Sequence, residues 1–245
     1  MEWYEESFGK DYLWLYEHRD GQEAALQVAF VSKYVSREKE GERMLDLACG
    51  SGRHLDSFQR AGWQGVGVDL SPELLAQAKE KNANRLIRAD MRYLPFKERS
   101  FSLVSSFFTS FGYFASELEH KQVLLECSRV LCKEGSLFLD LPNRETVISD
   151  LVPESVSKKG AIEVTQKRSM SKDGKRVEKI ISLVDEKSGK EKCYEESVRL
   201  FSLEDLSALL KGSGFSIENT FGDFEGNAFL SGSPRMLVFA RSSAQ

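Results

Sequence analysis

Apolar residues recur along this chain in two alternating patterns, most clearly between residues 43 and 141. Five short runs read as strands: Arg43–Leu47 (RMLDL), Gln64–Leu70 (QGVGVDL), Arg85–Ala89, Phe101–Ser106 and Ser136–Leu141 (SLFLDL). Helical signals fall between them. Arg53 to Ala61 sets Leu55 and Phe58 on one face and closes at Gly62. Ser71-Pro72-Glu73 is a helix start, with a capping hydroxyl, a proline suited to the first helical position and an acid at the positive end. Ser116 and Glu119 form a capping box, and Leu118, Leu124, Leu125, Ser128 and Leu131 continue that helix to Gly135. Strands separated by helices imply right-handed crossovers and a parallel sheet covered on both faces.

The rhythm changes after Pro142. From about Ala161 to Leu200 no helical period is present. Three antiparallel strands are expected there, the first two joined at the turn Asp173-Gly174. The helical pattern resumes at Ser202–Lys211, boxed by Ser202 and Asp205, and Phe215–Phe221 and Met236–Arg241 supply two last strands. Ahead of the first strand, Gln22–Ser36 reads as a helix, preceded by the aromatic residues Trp3, Tyr4, Phe8, Tyr12, Trp14 and Tyr16. The expected fold class is α/β: a Rossmann-like, seven-stranded, mostly parallel sheet with helices on both faces, plus a small antiparallel β insertion. One domain over 1–245 is expected, with a cap at 1–40, a core at 41–142, the insertion at about 143–200 and a closing helix and strands at 201–245.

Composition narrows the function classes. Of 245 residues, 41% are hydrophobic and 29% charged, enough apolar material for a sizeable core. Net charge is −4, so the broad basic field of a general nucleic-acid binder is missing. Residues 154–199 carry 12 basic and 9 acidic side chains, a local excess of +3. No run of about 18 apolar residues is present, and the first ten residues do not resemble a signal peptide. Cys49, Cys127, Cys132 and Cys193 are scattered and lack zinc spacing, which reads as four reduced thiols in a cytoplasmic protein.

The chemistry concentrates in LDLACGSGRH, Leu45–His54, where a strand ends and a loop of small residues turns into a helix. Gly50 and Gly52 let backbone approach a ligand, and the helix start offers unpaired N–H groups. A dinucleotide fingerprint needs a third small residue where Leu55 stands, and a P-loop needs a Gly-Lys-Ser/Thr sequence that the loop lacks. Instead Asp46 precedes the loop, Asp69 ends the second strand and Asp90 ends the third. An acid beside the loop repels a pyrophosphate and suits a cation. Asp69 is placed to accept from ribose hydroxyls, and Asp90 from an exocyclic amine. The ligand implied is a nucleoside carrying positive charge and an amino group.

With LDLACGSG, GVDLS (67–71), ADMRYLPF (89–96), FSLVSSFF (101–108) and RVLCKEGSLFLDL (129–141), the sequence resembles the class I S-adenosylmethionine-dependent methyltransferases. Ala48 stands where that family most often has glycine. The resemblance implies S-adenosyl-L-methionine as cofactor. Asp46 with the backbone of Ala48, Gly50 and Gly52 would hold its methionine part, Asp69 its ribose, Leu70 would lie beside the adenine, Asp90 and the Met91 backbone would read the adenine edge, and Phe107 would lie near the sulfonium. In small-molecule members a β insertion at this place roofs the acceptor pocket, so a small-molecule acceptor is expected, without nucleic acid or membrane insertion. The alternatives are an RNA or protein methyltransferase, for which Lys172, Lys175 and Arg176 are the basic candidates, and a binding protein that transfers nothing.

Other candidates are weighed against structural roles. Arg53 and His54 are read equally as surface helix residues or ligand contacts. Phe107, Phe108, Phe111, Tyr113 and Phe114 suit core packing better than an acceptor pocket. Tyr4, Tyr12 and Tyr16 suit a lid or a packed N-terminal helix. Arg144, Tyr194, Glu195 and Glu196 are read as a solvated charged face and His120 as exposed. No catalytic residue and no metal constellation is identified, and a general base is optional for displacement from a sulfonium.

Overall fold

The computed structural model describes residues 2–16, 21–35, 42–80 and 85–243. In chain order the elements are α1 (Trp3–Ser7), α2 (Lys10–Leu15), α3 (Gly21–Tyr34), β1 (Arg43–Leu47), α4 (Arg53–Arg60), β2 (Gln64–Asp69), α5 (Pro72–Glu80), β3 (Leu86–Arg88) and β4 (Phe101–Ser106). A short 3-10 helix, Ser110–Tyr113, follows. Then come α6 (Glu117–Val130), β5 (Leu131–Pro142), α7 (Arg144–Ser149), β6 (Glu154–Lys159), β7 (Ile162–Met170), β8 (Arg176–Asp185), β9 (Glu191–Arg199), α8 (Leu203–Lys211), β10 (Phe215–Phe221) and β11 (Arg235–Ser242).

Seven strands form one sheet in the order β10-β11-β5-β4-β1-β2-β3. Its pairs are parallel except where β11 runs antiparallel to both neighbours. The strand order reverses at β1, between β4 and β2, and the cleft outside the carboxyl ends at such a point is where open α/β sheets take ligands. Neighbouring residues on one strand serve opposite faces. Leu45 packs with Val123 and Leu124 of α6 and Leu206 of α8, whereas Met44 packs with Val28 of α3 and Phe58 of α4. That is why these strands read as continuous apolar runs.

The alternation Gly65-Val66-Gly67-Val68 has a packing cause. The two valines join the face covered by α6 and α8. The two glycines lie under α4, where a Cβ at Gly67 would come within 2.7 Å of Cys49 Sγ and 2.8 Å of Leu55 Cδ2. This close approach seats the loop after β1 on β2.

The expected helix starts are present. Ser116 Oγ accepts from Glu119 N while the Glu119 carboxylate accepts from Ser116 N. Ser71 Oγ accepts from Leu74 N, and Ser202 Oγ accepts from Asp205 N. Several boundaries move, most by a residue or two at an end. The helix expected to reach Gly135 stops at Val130, and β5 begins at once. The helix over Gln22–Ser36 is described as Gly21–Tyr34, with Ser36 outside the described residues. The last strand gains a residue at each end.

The insertion is larger than its pattern suggests. Four antiparallel strands, in the order β6-β7-β8-β9, make a separate sheet. The unexpected strand, ESVSKK, pairs fully with β7 but has no apolar face, and Val156 is exposed. The short helix α7 also escaped the pattern because none of its residues is buried. The sheet's small core, Val164, Ile181 and Leu183, packs against Trp14 and Leu15 at the end of α2.

Gly67→Ala is expected to overpack the contact between β2 and α4 and cost about 1–3 kcal/mol, read as a lower urea midpoint at unchanged slope.

Candidate functional site

The loop after β1 turns on three left-handed residues, Ala48 (φ 53°), Gly50 (φ 55°) and Gly52 (φ 75°). An alanine in this region costs about 1–2 kcal/mol, so Ala48 is the strained member of the three. The loop is stitched to β2 by Cys49 N, which donates to Val68 O at 3.0 Å, and by Gly50 N, which donates to Asp69 Oδ2 at 2.8 Å. The second oxygen of Asp69 accepts from Ser71 N at 2.9 Å. Burial pushes the Asp69 carboxyl above its ordinary range, and the N–H groups of Ser71, Gly50 and Leu70 pull it back.

Asp46 is 1% exposed at the end of β1. Its Oδ1 accepts from Ser105 Oγ at 3.4 Å, whereas Oδ2 has no hydrogen-bond partner among the described residues. Burial raises its carboxyl to about 7, helped by the nearby Asp69 and opposed by Ser105, Arg53 and the Leu55 N–H. A buried carboxylate oxygen without a donor is costly and accounts for itself if a cationic donor arrives from outside the chain.

Both acids line one cavity of about 240 Å³ at the carboxyl ends of β1, β2 and β4. Ala48, Gly50, Leu70, Asp90, Met91 and Phe107 line it as well, so eight of the nine residues assigned to the ligand from sequence meet there. The ninth, Gly52, starts α4 behind the loop. Asp90 is less free than expected. Its oxygens accept from Arg92 N at 2.8 Å and from the Arg92 guanidinium, which also pairs with Glu119. An adenine amine at Asp90 therefore shares the carboxylate with Arg92.

Phe107 is buried, not protruding. Its ring lies flat on His54 at 3.9 Å and against Phe58 and Phe138. The reading of His54 as a surface residue is corrected: it is buried, meets Gln27 Oε1 at 2.7 Å, and burial holds it neutral by pushing it far below its usual range. Arg53 pairs with Glu23 at 3.1 Å and stands 4.2 Å over the Phe108 ring. Both residues lie on the cavity wall. Phe108 and Tyr113 line the cavity together with Phe114, while Phe111 belongs to the core.

The aromatic lead-in covers the cavity. Tyr4, Phe8, Tyr12, Leu13 and Tyr16 line it, and Phe8 stacks on Tyr113 at 5.2 Å. Ser71 Oγ holds this segment to the core by donating to Phe8 O at 2.7 Å. The sequence offered the lead-in equally as packing or as a lid; missing from that reading were Phe8 and Leu13, whose only signal was their place among the tyrosines.

The insertion does not line the cavity among the described residues and supports the lead-in from behind. Ser7 Oγ donates to Glu195 O at 2.8 Å, Lys179 donates to Tyr16 Oη at 2.7 Å and pairs with Glu196, and Asp11 meets both Lys192 and Tyr194. Tyr194 and Glu196 are thus occupied in holding the roof, whereas Glu195 contributes only its main-chain oxygen and its side chain is exposed, as expected. Arg144 donates to Gly174 O. Arg176 donates to Phe114 O at 2.8 Å and to Ser197 O at 2.7 Å, which clamps the insertion onto the 3-10 segment. His120, expected to be exposed, is buried among Phe111, Phe114 and Phe201 with Nδ1 at 2.7 Å from Ser116 O. Burial lowers its pKa to about 4.

The chain is similar to known methyltransferases. A family model described as a methyltransferase domain matches residues 45–139. An uncharacterized protein of Methanocaldococcus jannaschii is 27% identical over 187 residues, which is 75% of this chain and 65% of that protein's length. A dTDP-3-amino-3,6-dideoxy-alpha-D-glucopyranose N,N-dimethyltransferase of Streptomyces fradiae is 28% identical over 234 residues, 92% of this chain and 86% of its own. Among solved structures, an S-adenosylmethionine-bound amino pentose methyltransferase of Micromonospora echinaspora superposes with a TM-score of 0.68 at 20% identity, covering 95% of each chain.

The raised Asp46 carboxyl fixes a sign. The folded state binds this proton more tightly than the unfolded chain, so the group's contribution to stability is full below about 4 and is lost as pH rises to about 7. Asp46→Asn should melt above the wild type at pH 8 in the absence of ligand, with the gap closing towards pH 4, and the slope from this group should not exceed about 1.4 kcal/mol per pH unit. Parallel melting curves across that range would show that the carboxylate is not strained.

Proposed function

We propose that the chain, whose residues 45–139 match a methyltransferase-domain model, is a class I S-adenosylmethionine-dependent methyltransferase that transfers a methyl group to a nitrogen, oxygen or carbon atom of a small-molecule acceptor. The observation that carries this reading is the buried, donor-less Oδ2 of Asp46 beside the glycine loop. An α-ammonium group fits that oxygen, and a phosphate does not, because Asp46 and Asp69 together repel it.

Bound S-adenosylmethionine supplies a methyl group already activated by its sulfonium. Asp46 would accept from the amine, and the backbone at Ala48 and Gly50 would frame the methionine part, with Gly52 shaping the loop from outside the cavity. Asp69 keeps a lone pair on each oxygen for ribose hydroxyls while it clamps Gly50 and Ser71. Leu70 would lie beside the adenine, and Asp90 and Met91 would meet its edge. Phe107 and Phe108 wall the reacting end, and Tyr4, Phe8, Tyr12 and Tyr16 exclude water above it. Alignment of donor and acceptor of this kind is worth on the order of 7–11 kcal/mol, so no dedicated base is assigned.

A small acceptor is supported by the roofed cavity and by the amino-sugar substrate named for the Streptomyces fradiae relative. Nucleic acid is disfavoured because Arg176, one of three basic candidates, is engaged with the carbonyls of Phe114 and Ser197. Four unpaired thiols support a reducing, cytoplasmic setting.

Thermal shift tests the assignment. S-adenosylmethionine or its demethylated product at about 100 times its Kd should add about 2.7 kcal/mol of stability; no shift from either would remove its support. Asp69→Ala should weaken that binding about 10- to 100-fold by calorimetry in a protein that still melts cooperatively, and an unchanged Kd would make the ribose assignment wrong.

A further inference from the structure

The segment that carries Phe107 and Phe108 into the cavity wall passes through two successive left-handed residues, Phe108 (φ 54°) and Thr109 (φ 67°). Neither is glycine, and a β-branched residue in this region is an outlier that persists only where its surroundings over-determine it. Both N–H groups are held by one residue. Phe108 N donates to Asp140 Oδ2 at 3.0 Å, and Thr109 N donates to the Asp140 main-chain oxygen at 3.1 Å.

Asp140 sits near the end of β5 and is buried. Its other oxygen accepts from Arg235 Nε at 2.7 Å, from the antiparallel neighbour β11. Arg235 reaches across to stand 5.8 Å over the Phe108 ring, which Arg53 covers at 4.2 Å. A buried ion pair is weak evidence of a stability device, since well-packed apolar side chains often serve as well. An apolar residue at 140 could not accept from Phe108.

We propose that Asp140, fixed by Arg235, is a positioning residue that holds the Phe108–Thr109 turn and thereby the orientation of Phe107 and Phe108 at the reacting end of the cavity. The proposal rests on the methyltransferase reading for the meaning of that end, and on geometry alone for the turn. Asp140 touches neither ligand nor reacting atoms; it acts through the backbone of Phe108.

The experiment places 4-fluorophenylalanine at position 108 alone and reads its fluorine NMR line. The unaltered chain should give one narrow line that moves on addition of S-adenosylhomocysteine. Asp140→Asn leaves one acceptor oxygen for two donors, so the line should broaden or split and cease to follow saturating S-adenosylhomocysteine. Thr109→Gly in that background relieves the left-handed strain and should restore the single line, a rescue that a general loss of stability would not give. A narrow, ligand-responsive line in folded Asp140→Asn overturns the proposal, as does broadening that Thr109→Gly leaves unaltered. If Asp140→Asn does not fold, Arg235→Met gives the same reading with the carboxylate kept. Unfolding of both would make the pair a stability element and overturn the positioning role. If the unaltered chain fails to bind S-adenosylhomocysteine, the methyltransferase reading falls, while the line shape still reports on the turn.

Discussion

One carboxylate ties together the parts that make the cavity. Asp69 accepts from Gly50 and from Ser71, so the loop after β1 and the start of α5 are held at a fixed separation. Ser71 then passes the constraint to the lead-in through Phe8 O. Floor, side and roof of the cavity thus meet within three hydrogen bonds. A second acid, Asp46, stays buried nearby with one oxygen lacking a donor among the described residues, and the proposed preference for a cationic ligand rests on that deficit.

Much of this was legible in the chain because local and global signals agree there. The five strands of the first half, the caps at Ser71 and Ser116, and the glycine loop each carry a pattern that only one local structure satisfies. The alternate glycines of β2 mark the approach of α4, a signal that the reading of QGVGVDL as a strand did not use. The remainder was hidden for identifiable reasons. Strand β6 has no apolar face, so period-two reading finds nothing in ESVSKK. His120 lies between Glu119 and Lys121 in sequence, and its burial depends on Phe201, 81 positions away, which no local pattern reports. Asp140 looked like one more strand residue because its partners, Phe108 and Arg235, come from two other parts of the chain.

The insertion shows a similar separation between composition and role. Its excess of basic residues suggested a surface for polyanions. The folded chain sets several of those charges to internal work instead: Arg176 on the carbonyl of Phe114, Lys179 between Tyr16 and Glu196, Lys192 on Asp11. Charge counted along a segment does not distinguish a solvated face from a set of internal struts.

The roof has two storeys, and among the described residues only the lower one, a stretch of about a dozen residues from Tyr4 to Tyr16, lines the cavity. The four-stranded sheet behind it touches that stretch through hydrogen bonds, ion pairs and a small apolar contact around Trp14. Drift in the sheet's sequence is therefore buffered from the chemistry, whereas a few exchanges among the tyrosines re-cut the cavity directly. A fold arranged this way can change its preferred acceptor through a short, replaceable stretch of chain while the donor side, built on β1, β2 and β4, stays as it is.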